Sequence, residues 1–215
     1  MITSTMNYDE IKEEVRKDIP LVLDLSDKKN QKVRRAVLKS QLFPVRLYAF
    51  VTSPNKNRWL LTWEAHSRKN TGDNILFAMV CFIHTDKGRI AVMPSVQDPL
   101  NPFFFIFLPH FFQRFAERKG IELTGEDLMR RFFQYNANFS IETRKRMVTE
   151  NQYAIEATGT SEEGVALGYQ LADGSFFFKT FISYEMAKGE QVEEFRESES
   201  KRIANHESII NELLR

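Results

Sequence analysis

Three residues able to move protons or hold phosphate recur at a fixed interval: His110, Arg114 and Arg118, in the stretch LPHFFQRFAERKGIELTGEDL from Leu108 to Leu128. At about 100° per helical residue, Arg114 lies roughly 40° and Arg118 roughly 80° around from His110. Glu117 falls between the two arginines in sequence and roughly 20° from His110 around the axis, so one helix face would carry an imidazole, two guanidiniums and a carboxylate. His110 would stand in the first turn, where the positive end of the helix dipole disfavours an imidazolium and leaves a neutral base. The arginines would bind a phosphate and stabilise charge developing on it. That combination serves metal-free cleavage of a phosphodiester when RNA brings its own 2′-hydroxyl as nucleophile. A second reading stays open: arginines at this spacing form a solvated face, Glu117 neutralises one, and His110 only caps or packs.

The row needs a helix to hold it, and the flanking residues supply one. Pro109 suits a first turn because its missing N–H has no intrahelical partner to lose. Phe111 and Phe115 project to one side of the row, with Phe112 and Ala116 continuing the apolar surface. Gly120 can adopt the left-handed stop. Thr124, with Asp127 three residues on, predicts a capping box for a second helix, DLMRRFFQY.

Around these helices the pattern is mostly that of strands. VRLYAFVTS, RWLLTWEAH, ILFAMVCFIH and RIAVMPS are β-branched and aromatic runs between the turn-rich segments SPNKN, RKNTGDN and TDKG. They predict an antiparallel meander. Asp86-Lys87-Gly88 is a hairpin candidate, and FFFIFL, after the loop VQDPLNP, reads as a buried strand. Downstream, Tyr153 to Thr158 predicts a strand, and GVALGYQL and SFFFKTFIS flank Asp173-Gly174, a two-residue hairpin signal. Residues 8–17 predict a helix ended by Pro20, and Asp27 to Lys39 a basic one. The tail 190–215 is helical in composition, with Ile203, Ile209, Ile210, Leu213 and Leu214 as its docking stripe.

The expectation is one α+β domain over 1–215: an antiparallel β-sheet with the two central helices on one face and terminal helices closing it. Its parts are an N-terminal meander over 40–95, a helix-helix-strand segment over 103–185 and the tail.

The line HFFQRFAERKGIELTGEDLMRRFF resembles a motif of small toxin-like domains of the BrnT kind. There, histidine, arginine and arginine recur at four-residue spacing before a turn and an acidic-capped second helix. The matching positions are His110, Arg114, Glu117, Arg118, Gly120, Ile121, Glu126 and Asp127. The order of elements after residue 103 is similar to the wider RelE and barnase-like group. The resemblance covers about half the chain and implies a metal-independent ribonuclease, with His110 as general base or acid and Arg114 and Arg118 on phosphate. An RNA substrate and an antitoxin-like protein partner are the expectations that follow. Such toxins are compact and strongly basic, whereas this chain has its own N-terminal strands and a net charge of +1. A scaffold protein recruiting a protein partner through an aromatic sheet face is the alternative.

Composition narrows the remaining chemistry. With 42% hydrophobic and 27% charged residues and 19 phenylalanines, the chain can bury a sizeable core. A near-neutral charge leaves any polyanion contact to local clusters. One is Arg144, Lys145 and Arg146, which follows the aromatic stretch YNANF in a manner suited to single-stranded RNA. The single Cys81 lies in an apolar run and predicts a buried, inert thiol. His66, His84, His110 and His206 are scattered, with His66 and His84 placed to meet across adjacent strands. No paired-cysteine, HExxH or Gly-rich phosphate motif occurs. Neither a metal nor a cofactor is expected. No apolar run is long enough to span a bilayer and the N-terminus lacks a signal core, so a cytoplasmic location is expected. Trp59 and Trp63 share strand parity and would line a ligand groove or cap a core.

Overall fold

The computed structural model describes residues 1–69, 75–95, 102–149, 152–186 and 190–213. The chain runs α1 (Tyr8–Asp27), α2 (Asn30–Lys39), β1 (Val45–Thr52), β2 (Arg58–Ala65), β3 (Leu76–Thr85), β4 (Gly88–Pro94), β5 (Phe104–Phe107), α3 (Pro109–Lys119) and α4 (Gly125–Asn136). It continues through β6 (Ser140–Thr149), β7 (Gln152–Thr160), β8 (Gly164–Gln170), β9 (Phe176–Ser183) and α5 (Glu190–Leu213). Residues 70–74 of the segment RKNTGDN and 96–101 of VQDPLNP lie outside the described residues.

Among the described residues all the strands share one sheet, in the order β1-β2-β3-β4-β5-β9-β8-β7-β6. Two antiparallel meanders run outward from β5, which pairs antiparallel with β4 and parallel with β9. The sheet is therefore larger than the expected meander and contains one parallel pair. Part of the difference is β6, whose TRKRM core has no apolar alternation. It is an edge strand, where charged side chains face water and block further pairing.

Each face of the sheet carries its own apolar core, and β5 belongs to both. Phe105 and Phe107 pack with Phe111, Phe112 and Phe115 of α3 and Phe132 and Phe133 of α4. Phe104 and Ile106 pack on the other side with Ile11, Val15, Ile19 and Val22 of α1, Trp59 and Trp63 of β2 and Cys81 of β3. This is the two-residue period of a strand buried on both faces. Trp59 and Trp63 are thus core residues on the α1 side of the sheet, and Trp63 also borders the cavity described below. Cys81 is fully buried, and desolvation pushes its thiol well above the ordinary range.

Several local expectations are corrected. α1 passes through Pro20 instead of ending there. Its buried positions Ile11, Val15, Ile19, Val22 and Ser26 continue the helical period past the proline. Burial of the second half outweighs a local cost of about 3 kcal/mol. The Thr124 side chain makes no cap hydrogen bond, whereas Asn7 and Glu10 form a full capping box at α1. The β8–β9 loop has three residues rather than two, since Leu171 N–H donates to Ser175 O and Gly174 takes φ of 82°. That is the hairpin with a left-handed residue at its last loop position. The turns at Gly88 (φ 116°) and Gly120 (φ 62°) do use their positive-φ glycines.

α5 rests on β6 and β7, burying Phe195, Ser198 and Arg202. Ile203 and Ile209 of the expected stripe are exposed, and the side chains of Ile210, Leu213 and Leu214 lie outside those described. Among the described residues, no helix is long and apolar enough to cross a membrane.

Candidate functional site

The polar row lies on α3 at the sequence-predicted positions, but its members have different partners. His110 is exposed, and its Nε2 accepts from Arg114 Nε at 3.3 Å, which places the ring proton on Nδ1. Arg114 also pairs with Glu117 at 2.8 Å. Arg118 turns away and donates to the backbone carbonyl of Phe181 in β9. His110 and Arg114 are thus brought together, while Arg118 ties α3 to the sheet.

Arg144, Lys145 and Arg146 are exposed on β6, with Arg146 paired to Glu156 at 2.8 Å. Strand alternation puts Lys145 on the face opposite Arg144 and Arg146. Two strands separate β6 from β9, the strand under α3, a gap of roughly 14 Å across the sheet. The basic cluster and the histidine row are therefore separate surfaces.

A cavity of about 260 Å³ lies between β2 to β5 and the C-terminal end of α4. Its walls include Ala78, Met93, Phe105, Phe133 and Phe139, with Glu64 and Gln134 also contributing. Two polar side chains border it without partners among the described residues: Ser95 Oγ, just beyond β4, and Asn138 Nδ2, just beyond α4. Leaving such a buried group unpaired costs about 1–3 kcal/mol. Neither residue carried a sequence signal. Ser95 follows a strand and Asn138 sits in an asparagine-containing turn, both ordinary places for a polar residue.

Glu64 joins this cavity to a polar cluster at the end of β2. Its carboxylate accepts from Arg46 Nε at 3.1 Å and lies 2.6 Å from His66 Nε2. Burial pushes the Glu64 carboxyl up, but the hydrogen bond from His66 and the Arg46 guanidinium outweigh it and hold the group below its usual range. Arg46 reaches on to Glu162 at 2.7 Å, while Arg131 of α4 makes a bidentate pair with Glu163 at 2.6 and 2.8 Å. The lip of β1–β2 is thereby fastened to the β7–β8 turn beside α4.

His206 of α5 completes the cluster, its ring 4.8 Å from that of His66 at 83°. Desolvation and the neighbouring His66 push the His206 imidazole below its usual range. The expected meeting of His66 with His84 does not occur. The register pairs Arg58 with Phe82 and Glu64 with Leu76, which puts the two histidines at opposite ends of the β2–β3 hairpin.

Comparison with protein-family models, with curated proteins and with solved structures finds no match to this chain.

Proposed function

We propose that this protein is a non-enzymatic binder of a small, neutral, largely apolar molecule, held in the cavity between β2 to β5 and the end of α4. The observation that carries the reading is the pair Ser95 Oγ and Asn138 Nδ2, buried and unpartnered among the described residues beside a space walled mostly by apolar side chains. An apolar body would take up the phenylalanine walls, and a few fixed polar groups would orient it, as in small-molecule sites generally. Asn138 Nδ2 only donates, so the ligand carries an oxygen acceptor such as a carbonyl. The ionised Glu64 at the rim disfavours an anion. At about 260 Å³ the space suits a single-ring compound more than a cofactor.

The test is a ligand-observed NMR titration of the protein with acetanilide, toluene and benzoate. Acetanilide should bind best, and Asn138→Leu with Ser95→Ala should erase its advantage over toluene. Ala78→Leu, which fills the space, should remove both. Equal binding of acetanilide by wild type and the double variant would sink the reading.

A second reading rests on the exposed His110–Arg114 hydrogen bond in the first turns of α3. It is an RNA-interacting protein of toxin-like descent, a metal-independent ribonuclease in which His110 moves the proton and Arg114 holds phosphate. Arg118 would have to leave the Phe181 carbonyl to join them. Arg144, Lys145 and Arg146 would contact RNA only as a distant second patch. Cleavage of single-stranded or ribosome-bound RNA, lost in His110→Ala, is the expected result; RNA left intact by both forms refutes it.

A further inference from the structure

We propose that Glu64, His66 and His206 form a binding site for a divalent transition metal, zinc by its chemistry, that clips α5 onto the end of β2. The three side chains each offer one ligand atom, and these atoms lie within 4.8 Å of one another. Glu64 lies near the end of β2 and His66 just beyond it, while His206 comes from a helix some 140 residues away, so the cluster is a product of the fold. All three side chains are partly buried, and His206 Nε2 is buried with no hydrogen-bond partner among the described residues. An imidazole nitrogen held out of water beside a second imidazole and a carboxylate lacks what a cation would supply.

The donor set selects the metal. Two imidazoles and one carboxylate suit zinc, whereas calcium and magnesium take oxygen ligands. At bond lengths of about 2.0–2.2 Å, tetrahedral ligand atoms sit roughly 3.3–3.6 Å apart. The Glu64–His66 contact of 2.6 Å would open slightly and the widest separation of 4.8 Å would close by a little over an ångström, movements within reach of side-chain rotation. Zinc would take the place between His66 Nε2 and Glu64 Oε1, with the single proton of the neutral ring then carried on His66 Nδ1. Arg46, donating to Glu64 Oε2, would orient the carboxylate from outside, as partners of metal ligands do. The nearby guanidiniums have carboxylates outside the cluster, Arg46 in Glu162 at 2.7 Å and Arg202 in Glu199 at 2.7 and 2.8 Å. Three protein ligands leave a fourth position for water, and Glu64 also borders the cavity.

His66 and His206 do not line that cavity, so variants there separate this proposal from the ligand-binding one. The full chain without an affinity tag is titrated with zinc by calorimetry and with cobalt(II) by visible absorption. One zinc per chain, a raised melting temperature and tetrahedral cobalt bands are expected. His66→Gln and His206→Gln should each weaken zinc by about 100-fold or more, beyond what losing an outer partner costs. His84→Gln, at the other end of the hairpin, should bind as wild type, and far-UV circular dichroism checks that each variant is folded. Because the cobalt spectrum is read on the wild-type chain, its absence overturns the proposal even where a variant misfolds. Zinc binding that survives both histidine substitutions overturns it as well.

Discussion

Asp18 is fully buried in α1, and its carboxylate accepts hydrogen bonds from Ser53 Oγ, Asn55 Nδ2 and Asn57 Nδ2, each at 2.7 Å, and from Trp59 Nε1 at 3.1 Å. The β1–β2 turn is thus wound around one buried carboxyl group, and Trp59 is fixed by the same group that fixes the turn. Asp18→Ala removes the acceptor and leaves buried donors unpaired, so it should cost about 3 kcal/mol or more, read as a fall in the urea midpoint. Asp18→Asn should fare little better, because its amide hydrogens meet donors on most sides. A midpoint within error of wild type would show that the turn finds its own solvation. Nothing in KDIPL marks Asp18 as central, since its partners come from SPNKNRW on another element. The same limit hid Glu64, Ser95, Asn138 and His206, which converge from β2, the ends of β4 and α4, and α5. The His110–Arg114 contact was legible because both ends lie on one helix.

Elements built on local chemistry were the ones the sequence revealed. Alternating runs marked most of the strands, and Pro109 and Gly120 marked the ends of α3. What escaped was settled by distant neighbours. α1 outlasts Pro20 because its far half is buried, β6 is a strand because β7 pairs with it, and α5 docks on β6 and β7 with Ser198 donating to Glu142 of β6 at 3.0 Å. One such join sets an acid response. Burial pushes the Glu163 carboxyl up, but hydrogen bonds from Arg131 and Asn136 outweigh it and hold the group below the 4.5 of an unperturbed glutamate. Because the folded value is the lower one, this contribution is fully present above 4.5 and is lost as pH falls through the folded value. In thermal melts from neutral to acid pH, Glu163→Gln should be less stable than wild type at neutral pH and lose less of its stability on acidification. Parallel pH profiles for the two proteins would show that the α4 join contributes nothing to acid sensitivity.

The whole molecule is two meanders fused along β5 and β9 by three residue pairs, Phe105 with Phe176, Ile106 with Phe177 and Phe107 with Phe178. So short a seam would make a weak joint on its own, but both faces reinforce it. On one side Tyr8 and Arg16 of α1 lie against Phe177 and Phe104, and Lys12 reaches Asp173 in the β8–β9 loop at 2.5 Å. On the other, Phe107 touches the rings of Phe111, Phe132 and Phe178 within one cluster. A core shared in this way should unfold as one cooperative unit. Both tryptophans, Trp59 and Trp63, lie on β2, so their fluorescence reports only the first meander, whereas far-UV circular dichroism reports all the helices and strands. The two urea transitions should coincide. Phe107→Ala, at the seam, should lower both midpoints together by about 3–5 kcal/mol of stability. If fluorescence and dichroism instead gave separate transitions, or the substitution moved only one, the meanders would be independent domains. The cavity, bounded by α4 and by β2 to β5, would then have to bind its ligand across a joint able to open.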